Sequence, residues 1–189
     1  MRSAGGRGDS AAGLGGLSQR ADGFAEAVGD VAHVGHAVSV GQHPEVHGSH
    51  VRHDRQVDAC ARGPGAGAHA GTLSNPQLRL LDIPAVAAAS HVHGAKLVID
   101  NTFASPAVVR PLALGADLVV HSASKYLNGH SDVIAGCVAG NEDAVKEVQR
   151  RVITFGGSLD PHAAFLVLRG LRTFEVRLQR QQATALEVA

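Results

Sequence analysis

The glycines divide this sequence in two. Fourteen of the twenty-three fall within residues 1–70, together with seven of the twelve histidines, no lysine and one aromatic, Phe24. A Gly-, Ala-, His- and Arg-rich stretch without apolar periodicity has little to bury against the entropy lost on ordering its backbone. We therefore expect residues 1–71 to be disordered or the product of an altered reading frame. One weak helical stretch at 21–34 is opposed by glycines at 23, 29 and 35. From Thr72 onward, apolar runs alternate with punctuated turns, and residues 72–189 are expected to form the folded unit.

Bulk properties narrow the function. Seventeen basic and seventeen acidic residues cancel, which removes any global electrostatic case for nucleic acid or an anionic membrane. No apolar run approaches the roughly 20 residues of a spanning helix. The N-terminus lacks the apolar stretch of a secretory signal. Two cysteines, Cys60 and Cys137, cannot make a disulfide framework, so a cytoplasmic protein is expected.

In the second part, Asp82 is a predicted N-cap with Pro84 in the first turn of a helix through His93, stopped by Gly94. Lys96–Asp100 is an apolar β-type run ending in a carboxylate. Pro106 and Pro111 bracket a loop or short helix. Further strands are expected at 117–121 and 133–138. Asn141 caps a predicted helix over 142–152, and Asp160-Pro161 opens a last one over 162–188, interrupted near Gly170. This order describes an α/β fold with a mostly parallel sheet. Ligands in such sheets sit beyond the carboxyl ends of the strands, where Asp100 and the Ser122–Lys125 loop both fall.

A lysine, a carboxylate and hydroxyls at neighbouring strand ends match what pyridoxal phosphate needs. The lysine holds its aldehyde, the carboxylate faces the pyridine nitrogen, and the hydroxyls reach its phosphate. Of the three lysines, Lys96 opens a strand at the wrong end and Lys146 lies on a polar helix face, leaving Lys125. Spacing alone leaves the ordinary alternatives open, since strand-ending aspartates commonly cap helices and lysines beside serines commonly sit in plain loops.

The strings themselves are more specific. Val98-Ile99-Asp100-Asn101-Thr102-Phe103-Ala104-Ser105-Pro106 resembles the aspartate segment of the Cys/Met-metabolism pyridoxal-phosphate enzymes. That family includes cystathionine γ-synthase, cystathionine γ-lyase, methionine γ-lyase and the O-acylhomoserine sulfhydrylases. Arg110-Pro111-Leu112, Gly115-Ala116-Asp117 and the run from His121 to Asp132 continue the resemblance in register. Gly157 to Pro161 and Leu168 to Thr173 extend it over 72–189. It implies part of the large domain of a fold type I transferase. Lys125 then corresponds to the Schiff-base lysine and Asp100 to the partner of the pyridine nitrogen. Ser122 and Ser124 correspond to phosphate-binding hydroxyls, and Asn75 to the asparagine near the ring oxygen. His130 and Asp132 are assigned structural roles around the lysine loop. The implied chemistry is γ-elimination or γ-replacement on homoserine esters, cystathionine or methionine. The implied assembly is a homo-oligomer with an amino acid as substrate.

Residues 1–70 contain no counterpart of the family's upstream phosphate and ring contacts, and no C-terminal domain follows, so a truncated or impaired form is expected. Two other readings stand beside this one. The chain is a non-catalytic fragment or interaction partner, or His43, His47, His50 and His53 form a metal-binding module.

Overall fold

A computed structural model describes the backbone of residues 57–60 and all of residues 67–189. The histidine cluster at 43–53 and the stretch at 21–34 lie outside the described residues.

Five strands form one sheet: β1 (Val57–Cys60), β2 (Gly67–Gly71), β3 (Lys96–Asp100), β4 (Leu118–Ser122) and β5 (Gly136–Gly140), adjacent in that order. β2, β3 and β4 run parallel, and antiparallel strands β1 and β5 flank them. The ordered sheet therefore begins before Thr72. Gly67–Gly71 pairs along its full length with β3, Gly71 opposite Asp100, so these five residues correct the expectation of disorder through residue 71. Small residues can fill a strand when the neighbouring strand supplies the ladder.

Helix α1 (Ile83–Val92) is the crossover between β2 and β3. It starts as expected, with Ala85 N–H donating to Asp82 Oδ1 at 3.1 Å and Pro84 in the first turn. Its inward residues Ile83, Ala87 and Ser90 follow the i, i+4, i+7 spacing of one helix face. Ile83 and Ala87 cover Ala68, Ala70, Leu97, Ile99 and Val119 on one face of the sheet. Burying Ile83 stabilises by about 2 kcal/mol. Asp117 holds this layer together, accepting from Leu97 N–H at 2.7 Å and pairing with His91 Nε2 at 2.9 Å. Burial alone would raise its pKa, but these bonds hold the carboxyl below the ordinary value.

After β3 the chain makes a short helix α2 (Ser105–Val108) and a 3-10 turn (Pro111–Leu114) closed by Gly115 at φ 100°. Helices α3 (Glu142–Phe155), α4 (Pro161–Leu171) and α5 (Phe174–Val188) follow β5. The break between α4 and α5 falls just after Gly170, as anticipated. The strand expected at 133–138 instead lies at Gly136–Gly140. Its pairing with β4 runs from Ser122 opposite Gly136 to Leu118 opposite Gly140. Residues before 136 are used elsewhere, because Ala135 is bonded to Ser124. A second core, Ala123, Leu127, Ala135, Val167 and Phe174, joins this region to α4 and α5.

Candidate cofactor site at the strand ends

Parallel pairing of β2, β3 and β4 brings their carboxyl ends to one edge. Asp100 ends β3 and Ser122 ends β4 on the adjacent strand. Two hydrogen bonds through Thr102 tie these ends together. Thr102 N–H donates to Asp100 Oδ1 at 2.9 Å, and Ser122 N–H donates to Thr102 Oγ1 at 2.8 Å. A second crosslink lies on the β2 side, where Thr72 Oγ1–H donates to Asn101 Oδ1 at 2.8 Å. Asn101 Nδ2–H in turn donates to the Val109 carbonyl at 2.8 Å. Thr72 and Asn101 are both buried. Satisfied buried polar groups of this kind rigidify the edge on which Asp100 stands.

Lys125 lies in the turn that leaves β4, with its side chain exposed. The loop is closed by its own backbone: Lys125 N–H to Ser122 O, Asn128 N–H to Ala123 O, and Gly129 N–H to Lys125 O. Ser124 N–H donates to Ala135 O at 3.1 Å. The Ser124 hydroxyl accepts from Ala135 N–H at 2.8 Å and points its proton at Ala135 O at 3.3 Å. With the N–H groups of Ser122 and Ser124 engaged, their hydroxyls are the donors these residues can turn to a phosphate. Ser124 must release its long bond to Ala135 O to do so. Asn75 is exposed in the turn after β2, on the same edge as Asp100. Asp100, Ser122, Ser124, Lys125 and Asn75 thus all lie at or just after the carboxyl ends of the parallel strands. An exposed amine, a half-buried carboxylate and two hydroxyls fit the aldehyde, pyridine nitrogen and phosphate of pyridoxal phosphate.

The loop continues into a network of side chains that reaches α4. His130 Nδ1–H donates to Asn128 O at 2.6 Å. Asn128 Nδ2–H donates to Asp132 Oδ1 at 2.8 Å, and Arg169 of α4 donates to Asp132 Oδ2 at 2.5 Å. The Asn128 bond, with Arg169, holds the exposed Asp132 carboxyl below its usual range. His130 and Asp132 therefore brace the loop, as their sequence context suggested. Reasoning from the sequence does not reach Thr102 or Arg177, whose guanidinium donates to Tyr126 O of the lysine loop at 3.0 Å. Thr102 lies within the Val98–Pro106 string, and its position two residues past a strand-ending carboxylate is its mark in the sequence. Nothing local marked Arg177.

His121 sits on β4 beside this edge and is buried. Burial pushes its pKa down to about 4, with the Asp100 charge and the Asn101 backbone pulling upward. Burial likewise pushes the Cys137 thiol up to about 12. Among the described residues no group of three metal-ligating side chains could hold an ion, and no helix is long and apolar enough to cross a membrane.

The family model described as "Cys/Met metabolism PLP-dependent enzyme" matches residues 55–189. The chain belongs to this pyridoxal-phosphate-dependent enzyme family. Cystathionine gamma-synthase 1 (chloroplastic) of Arabidopsis thaliana is 47% identical over 116 residues, covering 61% of this chain and 21% of that protein. L-methionine gamma-lyase of Porphyromonas gingivalis is 43% identical over 141 residues, covering 73% and 35%. Among solved structures, cystathionine gamma synthase from Xanthomonas oryzae, in complex with aminoacrylate and cysteine, superposes with a TM-score of 0.58. It is 43% identical and covers 62% of this chain and 31% of that one. The chain thus spans between about a fifth and a third of the length of these relatives. The family match also begins upstream of Thr72, in keeping with the strand at Gly67–Gly71.

Proposed function

We propose that this chain carries the lysine-bearing part of a pyridoxal-phosphate site for γ-elimination or γ-replacement on sulfur amino acids and their precursors. The substrate class comprises homoserine esters, cystathionine and methionine. The observation that carries the reading is the Thr102 bridge, which ties the strand end of Asp100 to the loop of Lys125 across adjacent parallel strands.

Each residue has a defined task in this reading. Lys125 would offer the amine that holds the cofactor's aldehyde, and the same amine would move protons at the substrate's α and β carbons. Asp100 would set a carboxylate against the pyridine nitrogen, Ser122 and Ser124 would donate hydroxyl protons to the phosphate, and Asn75 would donate toward the ring oxygen. When bound, the cofactor supplies an electron sink for charge developing on the substrate. The names of the relatives, a synthase and a lyase among them, support this class without choosing between its branches.

Pyridoxal phosphate added to the protein should produce a visible absorption band. Borohydride reduction followed by peptide mapping should place the label on Lys125, and Lys125→Ala should abolish both. Labels scattered over Lys96 and Lys146, or no label, would overturn the reading.

A further inference from the structure

Arg177, on α5, reaches back to the loop that carries Lys125. Its Nη1–H donates to Tyr126 O at 3.0 Å and its Nη2–H to Gly170 O at 2.8 Å. Longer contacts run from Nη2 to Asn128 O at 3.3 Å and Leu127 O at 3.4 Å. Nε–H donates to Thr173 Oγ1 at 3.1 Å. The three carbonyls immediately after Lys125 therefore converge on one guanidinium, which also grips the end of α4. A planar fork with five donors can do this; an ammonium with three cannot.

Two further observations single this residue out. Among the described residues no carboxylate pairs with Arg177, so carbonyl dipoles at the loop and at the α4 C-terminus balance its charge. The guanidinium also packs directly over the loop backbone at Gly129. Gly129 has φ 73°, and a β-carbon there would lie 1.9 Å from Arg177 Nη1.

We infer that Arg177 is a positioning residue for Lys125. It clamps residues 126–128 against α4 and so determines where the lysine amine stands, without touching the reacting atoms. The second half of this inference rests on the cofactor reading above. A lysine that is to hold the cofactor's aldehyde would need a loop backbone that stays in place.

The test has two arms. In the cofactor-free protein, Arg177→Ala should speed amide hydrogen exchange at residues 125–129 at least tenfold while β3 and β4 keep their protection. Added guanidinium ion should restore part of the slow exchange. With pyridoxal phosphate, the same variant should label at Lys125 at least tenfold more slowly, and the pH midpoint of the visible band should shift. Wild-type exchange and labelling in a variant with intact β3 and β4 protection would overturn the inference. If Arg177→Ala loses that protection, Arg177→Lys is read in the same way, with wild-type loop behaviour again overturning it. Failure of the wild-type protein to label at Lys125 would sink the cofactor reading, and the exchange arm would still decide whether Arg177 clamps the loop.

Discussion

Gly170 of α4 lies directly against the backbone of Asn128, so closely that a β-carbon at 170 would stand 2.2 Å from the Asn128 carbonyl oxygen. Asn128 is itself fully buried, and its amide closes the lysine loop onto Ala123. The helix and the loop are thus fitted to a residue without a side chain.

Gly170→Ala should therefore destabilise the protein. Helix propensity favours alanine by about 1 kcal/mol, but overpacking against fixed backbone costs about 1–3 kcal/mol. The contact is with main chain, so the steric cost should win. Urea unfolding should show a lower midpoint; an unchanged or higher midpoint would show that α4 can move away without penalty.

Thr102→Val keeps the shape of the side chain and removes the acceptor for Ser122 N–H. Leaving that donor unpaired costs about 1–3 kcal/mol. The proposed site should feel it more than the remote cores do, with weaker retention of pyridoxal phosphate. Thr102→Ser keeps the oxygen and should recover most of the loss. Cofactor titration of the two variants separates hydroxyl chemistry from packing.

Stability should fall as pH drops from 6.5 toward 4. His121 is buried, and its Nδ1 has no hydrogen-bond partner among the described residues. Its pKa lies near 4 in the folded protein, down from an ordinary 6.5. Between those values the unfolded chain binds a proton that the folded one refuses, which favours unfolding. The full effect is about 3 kcal/mol, complete below pH 4 and absent above about pH 7. Urea midpoints at pH 7.5, 6 and 5 should show the slope, and a folded His121→Asn variant should flatten it. The depressed Asp117 and Asp132 carboxyls add loss of the same sign only at lower pH.

Asp160 accepts from the N–H groups of His162 at 3.0 Å and Ala163 at 3.1 Å, capping α4. Asp160→Ala should cost about 1 kcal/mol. Because α4 carries Gly170 and Arg169, exchange of the lysine-loop amides should also quicken. A loop insensitive to this cap would mean that α4 holds its place by packing alone.

Local chemistry was legible in the chain itself. Asp82, Asn141 and Asp160 each cap the helix expected of them because a cap needs only a short acceptor before a helical run. Lys96–Asp100 forms the predicted strand because β-type apolar residues gather there. The lysine loop and Asp100 were visible as motif residues at strand ends, which parallel topology brings to one edge. By contrast, β2, Gly-Ala-His-Ala-Gly, carries no apolar period of its own, and the strand expected at 133–138 starts three residues later, as β5. Their place comes from the ladders of β3 and β4, and Val133 lies outside β5 because Ala135 is tied to Ser124. Arg177 was hidden for the same reason: nothing near it in sequence indicates that three distant carbonyls will converge on its side chain. Residue types and their local spacing determined the caps, while the resemblance of whole strings to the family's motifs pointed to the family and to the proposed reactive lysine. Only the tertiary structure decided how that lysine's loop is held, because pairing register and long-range hydrogen bonds arise between segments that carry no local trace of one another.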